Sequence, residues 1–329
     1  MDVTTTEWLI TVGATIAVLL FDVIYVARRP HEPTLRECAI VLSIYVGLAL
    51  VFGLWVLSFH GHDFGIEFYA GWLTEYSLSI DNLFVFIIIM SALNVPRKYQ
   101  QEALLVGIIL ALIFRGIFIA LGKVAIDNFS WVFYIFGLFL VYTAYTLVKS
   151  YRSHDDEEYK ENKLIAFARK HLNATDEYHG LKLFIRRKGS LMITPMFIVI
   201  VALGSTDIMF ALDSIPAIYG LTQEAYIVFT ANVFALMGLR QLYFLLGDML
   251  RKLVYLSLGL SFILAFIGVK LVLHALHENE LPFINGGEPL HVPQINTLLS
   301  LGVVVVALVV TAVASLTSSR TNERRAHRE

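Results

Sequence analysis

Four carboxylates stand in two matched settings: Glu75 precedes Asp81-Asn82, and Asp207 precedes Asp213-Ser214, each acid pair six positions apart within a long apolar run. An ionisable side chain at bilayer depth is costly and as a rule functional, so the duplicated pattern points to an intramembrane cation site. Carboxylates, an amide (Asn82) and a hydroxyl (Ser214) are hard oxygen donors with no thiolate or imidazole among them. Such a set favours manganese, calcium or magnesium over copper or zinc.

At about 100° per residue, Glu75, Ser79 and Asn82 share one helical face, with Asp81 roughly 120° away. Asp207, Ala211 and Ser214 likewise share a face that leaves out Asp213. Both acids of a pair reach one ion only where the helix unwinds or where two ions are held. Gly204 before and Pro216 after the second pattern favour an interrupted helix there, because proline removes a donor and clashes with the preceding turn.

Arg115 and Arg240 occupy equivalent places in the apolar runs after each acidic pattern, and an arginine does not lose its charge in a protein. Two roles are open to them. They either neutralise buried carboxylates, or they set the protonation of those acids and so couple ion movement to protons. Lys270 is a third intramembrane cation, and it can also snorkel from near its helix end. His60, His62 and Asp63, with His274, His277, Glu278 and His291, could gather metal outside the membrane, although loop histidines are more often simply solvated.

The elements that must position these residues are membrane helices. The 329 residues are 57% hydrophobic and 16% charged, with a mean hydropathy of +0.69, outside the range of a soluble domain. Apolar runs long enough to cross the hydrocarbon core, at about 20 residues each, cover 7–27, 35–57, 67–94, 101–122, 129–149, 192–217, 225–247, 253–276 and 295–316. The first carries Asp2 and Glu7 ahead of it rather than basic residues, unlike a secretory signal. Of 25 basic residues, 21 fall in alternate connections: after the first, third, fifth, seventh and ninth runs. By the positive-inside rule the N-terminus faces out and the C-terminus faces the cytoplasm, in the inner membrane. With one cysteine, Cys38, the chain has no intrachain disulfide and no cysteine-based metal motif.

An internal repeat organises the chain. Glu75, Asp81, Gln101-Glu102-Ala103, Arg115 and Lys149 recur in order as Asp207, Asp213, Gln223-Glu224-Ala225, Arg240 and Lys270. Three crossings per unit put the second unit into the membrane from the opposite side, as in secondary transporters with inverted repeats. The expected fold is thus an all-α polytopic membrane protein of about nine transmembrane helices with a 3+3 inverted repeat. Residues 1–65 hold two N-terminal helices, 66–149 the first repeat, 150–190 a cytoplasmic loop, 191–276 the second repeat, and 277–329 an outer loop, last helix and basic tail. Within the loop, Leu164, Ile165, Phe167, Ala168 and Leu172 suit an amphipathic helix, and 184–194 a hairpin.

Gly71-Trp-Leu-Thr-Glu75-Tyr-Ser-Leu-Ser-Ile-Asp81-Asn-Leu-Phe-Val-Phe86, Phe114-Arg115-Gly116 and Ser205-Thr-Asp207-Ile-Met-Phe-Ala-Leu-Asp213-Ser-Ile-Pro-Ala-Ile218, followed by Leu239-Arg240, resemble the TerC family of integral membrane proteins, nearest its Alx-type members. The resemblance spans about residues 66–276. It implies a manganese(II) exporter in metal homeostasis with the acidic positions as ion ligands, and no catalytic activity. The expected partners are the divalent cation and the bilayer, with no nucleic acid, no resident cofactor and no protein partner specified. Two other classes are open to such a sequence. An intramembrane aspartyl protease needs a Gly-x-Gly-Asp context that is absent; a membrane partner assisting metal delivery to, or insertion of, exported proteins would act through the 150–190 loop.

Overall fold

The computed structural model describes the chain apart from residues 2, 29–32, 130, 154–174, 176–177, 179, 181, 188–189, 247–254, 283 and 327–329. The described helices are α1 (Thr5–Arg28), α2 (Leu35–Phe59), α3 (His62–Ala92), α4 (Arg97–Asn128), α5 (Val132–Ser153), α6 (Pro195–Tyr219), α7 (Ala225–Met237), α8 (Leu239–Leu246), α9 (Leu256–His277) and α10 (Thr297–Ala326). Among the described residues, eight spans are long and apolar enough to cross a membrane, one of them running through α7 and α8, and a shorter apolar stretch covers Thr5–Val18. The protein is therefore an all-α polytopic membrane protein with about eight to nine long apolar helices. Outward-facing Ile117, Leu121 and Val124 on α4, and Val306, Val310 and Val313 on α10, are exposed. Rows of that kind suit lipid and would be an aggregation hazard in water.

Local chemistry sets several helix ends. Thr34 and Glu37 form a capping box at the start of α2, with the Glu37 amide donating to Thr34 Oγ1 at 3.2 Å and the Thr34 amide to Glu37 Oε2 at 3.4 Å. Thr194 caps α6, with Pro195 at the first helical position, where its missing N–H costs nothing. The expected hairpin is present as β1 (Phe184–Arg187) and β2 (Ser190–Ile193), antiparallel with Phe184 opposite Ile193. The expected amphipathic helix at 164–172 lies outside the described residues.

The interruption expected near Gly204 and Pro216 does not occur, because α6 is continuous from Pro195 to Tyr219 with Pro216 inside it. The chain breaks instead at Gly238, between α7 and α8. A Cβ there would lie 2.9 Å from Leu42 Cδ1, so glycine lets α2 approach the junction.

The interior helices pack in pairs: α3 lies on α7, α4 on α6, and α5 on α9. The last pair meets backbone to backbone at Gly137 and Gly268, where an added Cβ would fall 2.7 Å and 2.8 Å from the opposite carbonyl oxygens. Such small-residue contacts are a usual route to close helix packing in lipid, where apolar burial alone provides no drive. The α4–α6 pair is fastened near its far end by Tyr219. Its ring packs on Gly122 and its hydroxyl donates to the Ile119 carbonyl at 2.7 Å.

Candidate cation site in the membrane interior

α3 and α6 present the same spacing to the interior. Glu75, Ser79 and Asn82 of α3 are buried, as are Asp207, Ala211 and Ser214 of α6, each set at positions i, i+4 and i+7. Continuous helices make this stripe, so it is a direct consequence of the spacing. Arg115 of α4 enters between them with its side chain completely buried.

The guanidinium organises the cluster. Nη1 donates to Glu75 Oε2 in a short contact and to Asn232 Oδ1 of α7 at 3.1 Å. Nη2 lies 3.5 Å from Asp207 Oδ1. With the Asn82 amide oxygen turned toward Arg115, it accepts from Nη2 at 3.2 Å, while the amide nitrogen donates to the Leu78 carbonyl at 3.0 Å. Two carboxylates against one guanidinium leave a formal surplus of one negative charge.

Several polar atoms in the cluster remain without a hydrogen-bond partner among the described residues: Glu75 Oε1, Asp207 Oδ2, Ser79 Oγ, Ser214 Oγ, Asn232 Nδ2 and Arg115 Nε. Leaving a buried polar atom unsatisfied costs about 1–3 kcal/mol. Six in one cluster, four of them oxygens beside surplus negative charge, make a setting suited to a cation or to water that a cation replaces. The atoms among them with lone pairs to offer a cation are the four oxygens, matching hard divalent ions.

The other expected site residues are distributed elsewhere. Asp213 is half-buried on a different face of α6, where the Thr143 hydroxyl of α5 donates to its Oδ1 at 3.1 Å. Because α6 does not unwind, the roughly 120° offset separates Asp213 from Asp207. Asp81 belongs to α3, and its side chain lies outside the described residues. Among the described residues, no group of three or more His, Cys, Asp or Glu is arranged to hold a metal. The chamber therefore joins two carboxylates to neutral oxygens and does not gather four acids.

Arg240 is buried on α8 beside a recess of about 30 Å³ with Glu37, Cys38, Gln101 and Gln241, away from Arg115. The offset has a sequence origin: Arg240 follows Glu224 by 16 residues, whereas Arg115 follows Glu102 by 13. The three extra residues carry Arg240 almost one turn further, and past the break at Gly238. Lys270 of α9 lines a larger polar recess of about 490 Å³ with Glu67, Thr222, Glu224, His274 and Glu278. There Thr222 Oγ1 donates to Glu67 Oε2 at 2.5 Å. Tyr219 also borders this recess, at the end of the α4–α6 contact. The histidines expected in outer loops stand largely at helix ends: His62 begins α3 and His274 and His277 lie in the last turn of α9, with His60 Nε2 3.1 Å from Glu7 Oε1 and His274 Nε2 3.3 Å from Glu278 Oε2.

Asn232 was not apparent from the acidic pattern. The available signal is that it is the single amide in α7, a helix that is otherwise almost wholly apolar. An isolated amide in a membrane helix needs a partner, and here that partner is Arg115.

A bundle of long apolar helices packed around the buried Glu75–Asp207–Arg115 cluster defines the class as an all-α polytopic integral membrane protein with a charged cluster in its interior. Comparison with known proteins places it more narrowly. Residues 60–323 match the integral membrane protein TerC family, and the chain belongs to that family. An uncharacterized membrane protein of Mycobacterium tuberculosis is 45% identical over 315 residues, covering 95% of this chain and 79% of its own. One from Myxococcus xanthus is 38% identical over 266 residues, covering 81% and 83% respectively. A Photorhabdus laumondii protein, named as a candidate membrane-bound redox modulator, Alx, is 35% identical over 266 residues, covering 78% and 82%. No solved structure matches the chain.

Proposed function

We propose that the protein exports a divalent metal cation, with manganese(II) the preferred ion, by alternating access around the Glu75–Asp207–Arg115 chamber. One observation carries this reading. A carboxylate of α3 and one of α6 meet at one buried guanidinium, and among the described residues the second oxygen of each acid and the hydroxyls of Ser79 and Ser214 have no hydrogen-bond partner. The ligand set comprises Glu75, Asp207 and Ser214, with Asp81 and Asp213 as a second acidic pair along the path, while Asn82 turns its amide oxygen to Arg115. Arg115 balances charge within the chamber. Arg240 and Lys270 serve the two ends of the path, in the recess beside Glu37 and in the recess beside Glu67.

The reciprocal packing of α3 on α7 and α4 on α6 supports an inverted repeat, in which rocking one unit against the other exposes the chamber to alternate sides. The Lys270 recess is then the outer mouth, with Tyr219 between it and the chamber. Proton exchange through the same carboxylates is a natural coupling, since loading a divalent ion changes their charge balance by two. Thiol–disulfide exchange within the chain is not open to it, because Cys38 is the single cysteine.

Cells loaded with manganese should lose it faster when they express the protein than when they do not. Equal manganese content in the two cell lines over the same interval would count against export. Orientation is tested separately with tags. Those at the N-terminus and in the 277–294 loop should be reachable from outside, and those at 155–160 and the C-terminus should not. Both ends on one side of the membrane would overturn the proposed topology.

A further inference from the structure

Arg115 touches two charged acceptors and two neutral ones, on three helices. Nη1 is shared between Glu75 Oε2 and Asn232 Oδ1, the latter at 3.1 Å. Nη2 is placed between Asp207 Oδ1 at 3.5 Å and Asn82 Oδ1 at 3.2 Å. Each terminal nitrogen therefore has a carboxylate on one side and an amide oxygen on the other. This division needs an explanation, because one carboxylate would be enough to neutralise the guanidinium.

A divalent ion and a guanidinium compete for the same carboxylate oxygens. Twice the charge favours the ion, yet the guanidinium cannot discharge itself and would be strongly unfavourable if buried without acceptors. The amide oxygens of Asn232 and Asn82 are already within its reach, and they are the neutral acceptors it can keep while the carboxylates turn to the ion. Among the described residues Asn232 uses only its oxygen, and its buried Nδ2 has no partner. A residue whose task was to ligate the ion would turn that oxygen toward the carboxylates, but it faces Nη1.

We propose that Arg115 is a tethered competitor of the transported cation, and that Asn232, with Asn82, holds its guanidinium when the ion occupies Glu75 and Asp207. This rests on the transport-site reading above. Ion and arginine then trade places on the carboxylates, so the two acids are never left bare in the membrane interior. Asn232 is a positioning residue that acts through Arg115 and does not touch the ion.

The test is a double-mutant cycle on purified full-length protein in detergent, with bound Mn²⁺ measured from the loss of the free-ion electron paramagnetic resonance signal. Four proteins are compared: the parent, Asn232→Leu, Arg115→Lys, and the double variant. Arg115→Lys retains the charge the carboxylates require but lacks the planar fork that spans a carboxylate and an amide together. Asn232→Leu should weaken Mn²⁺ binding by roughly tenfold or more in the Arg115 protein, the scale of one hydrogen bond to a charged group. In the Arg115→Lys background the same change should cost about twofold or less. Equal losses in both backgrounds would make Asn232 a direct ligand or a general structural element and overturn the proposal. No loss in either background would overturn it as well. If Leu is not accommodated, Asn232→Ala takes its place, with thermal unfolding followed for every variant. A parent protein that binds no Mn²⁺ saturably would defeat the transport-site reading itself, a result distinct from these.

Discussion

Glu75→Gln and Asp207→Asn are each expected to abolish manganese export while the protein reaches the membrane in normal amount. Each carboxylate has one oxygen engaged by Arg115 and a second, buried oxygen with no partner among the described residues, the geometry of a ligand in reserve. Losing one buried charged contact costs about 2 kcal/mol or more, so ion affinity should fall at least about thirtyfold. Folding should survive, because an amide of equal size removes the surplus negative charge instead of creating an unpaired one. Efflux from manganese-loaded cells, scored against membrane abundance on a blot, provides the check. Asp213→Asn is expected to slow turnover with less effect on affinity, since that carboxylate is held by Thr143 and not by Arg115. Parent-level efflux from the Asp207→Asn protein would remove this chamber from the transport path.

Arg115→Gln should have the opposite character, damaging stability before function. With the guanidinium gone, Glu75 and Asp207 lose their only cationic neighbour among the described residues of the chamber. Breaking a buried ion pair from one side costs about 3–5 kcal/mol, a large fraction of the stability of an ordinary protein. The variant should therefore show a sharply lower yield and melting temperature in detergent. Adding Glu75→Gln and Asp207→Asn should restore much of both, because the partners left unpaired are removed together. If single and combined variants melt alike, the carboxylates are not the reason for the loss. Arg240 borders a different recess, so Arg240→Gln should not be rescued by those two substitutions.

Much of this architecture is legible in the residues alone because bilayer physics is restrictive. Long apolar runs must be helices, and the i, i+4, i+7 spacing of Glu75, Ser79 and Asn82 fixes one face on any continuous helix. Asp207 and Ser214 obey the same rule. Less legible is what depends on rotation and register. Glycine and proline around the second pattern suggest an interruption, yet α6 runs unbroken and Asp213 turns to α5. A proline in a membrane helix is tolerated when neighbouring helices satisfy what it frees, which local composition does not reveal. Arg240 is misleading for a different reason. Order along the repeat is preserved, but three extra residues and the break at Gly238 carry it out of the Arg115 chamber. Asn232 carries no motif at all, and its importance emerges only when α7 is packed against α3 and α4.

Purified protein sealed into vesicles, offered manganese, calcium, magnesium or zinc one at a time, addresses the central claim without the rest of the cell. An oxygen-lined chamber with surplus negative charge should give saturable manganese flux, weaker flux of calcium or magnesium, and little of zinc. The flux should vanish in vesicles containing Asp207→Asn protein at equal density. Manganese flux that is no greater than through protein-free vesicles, or that is the same with Asp207→Asn as with the parent, would contradict the account.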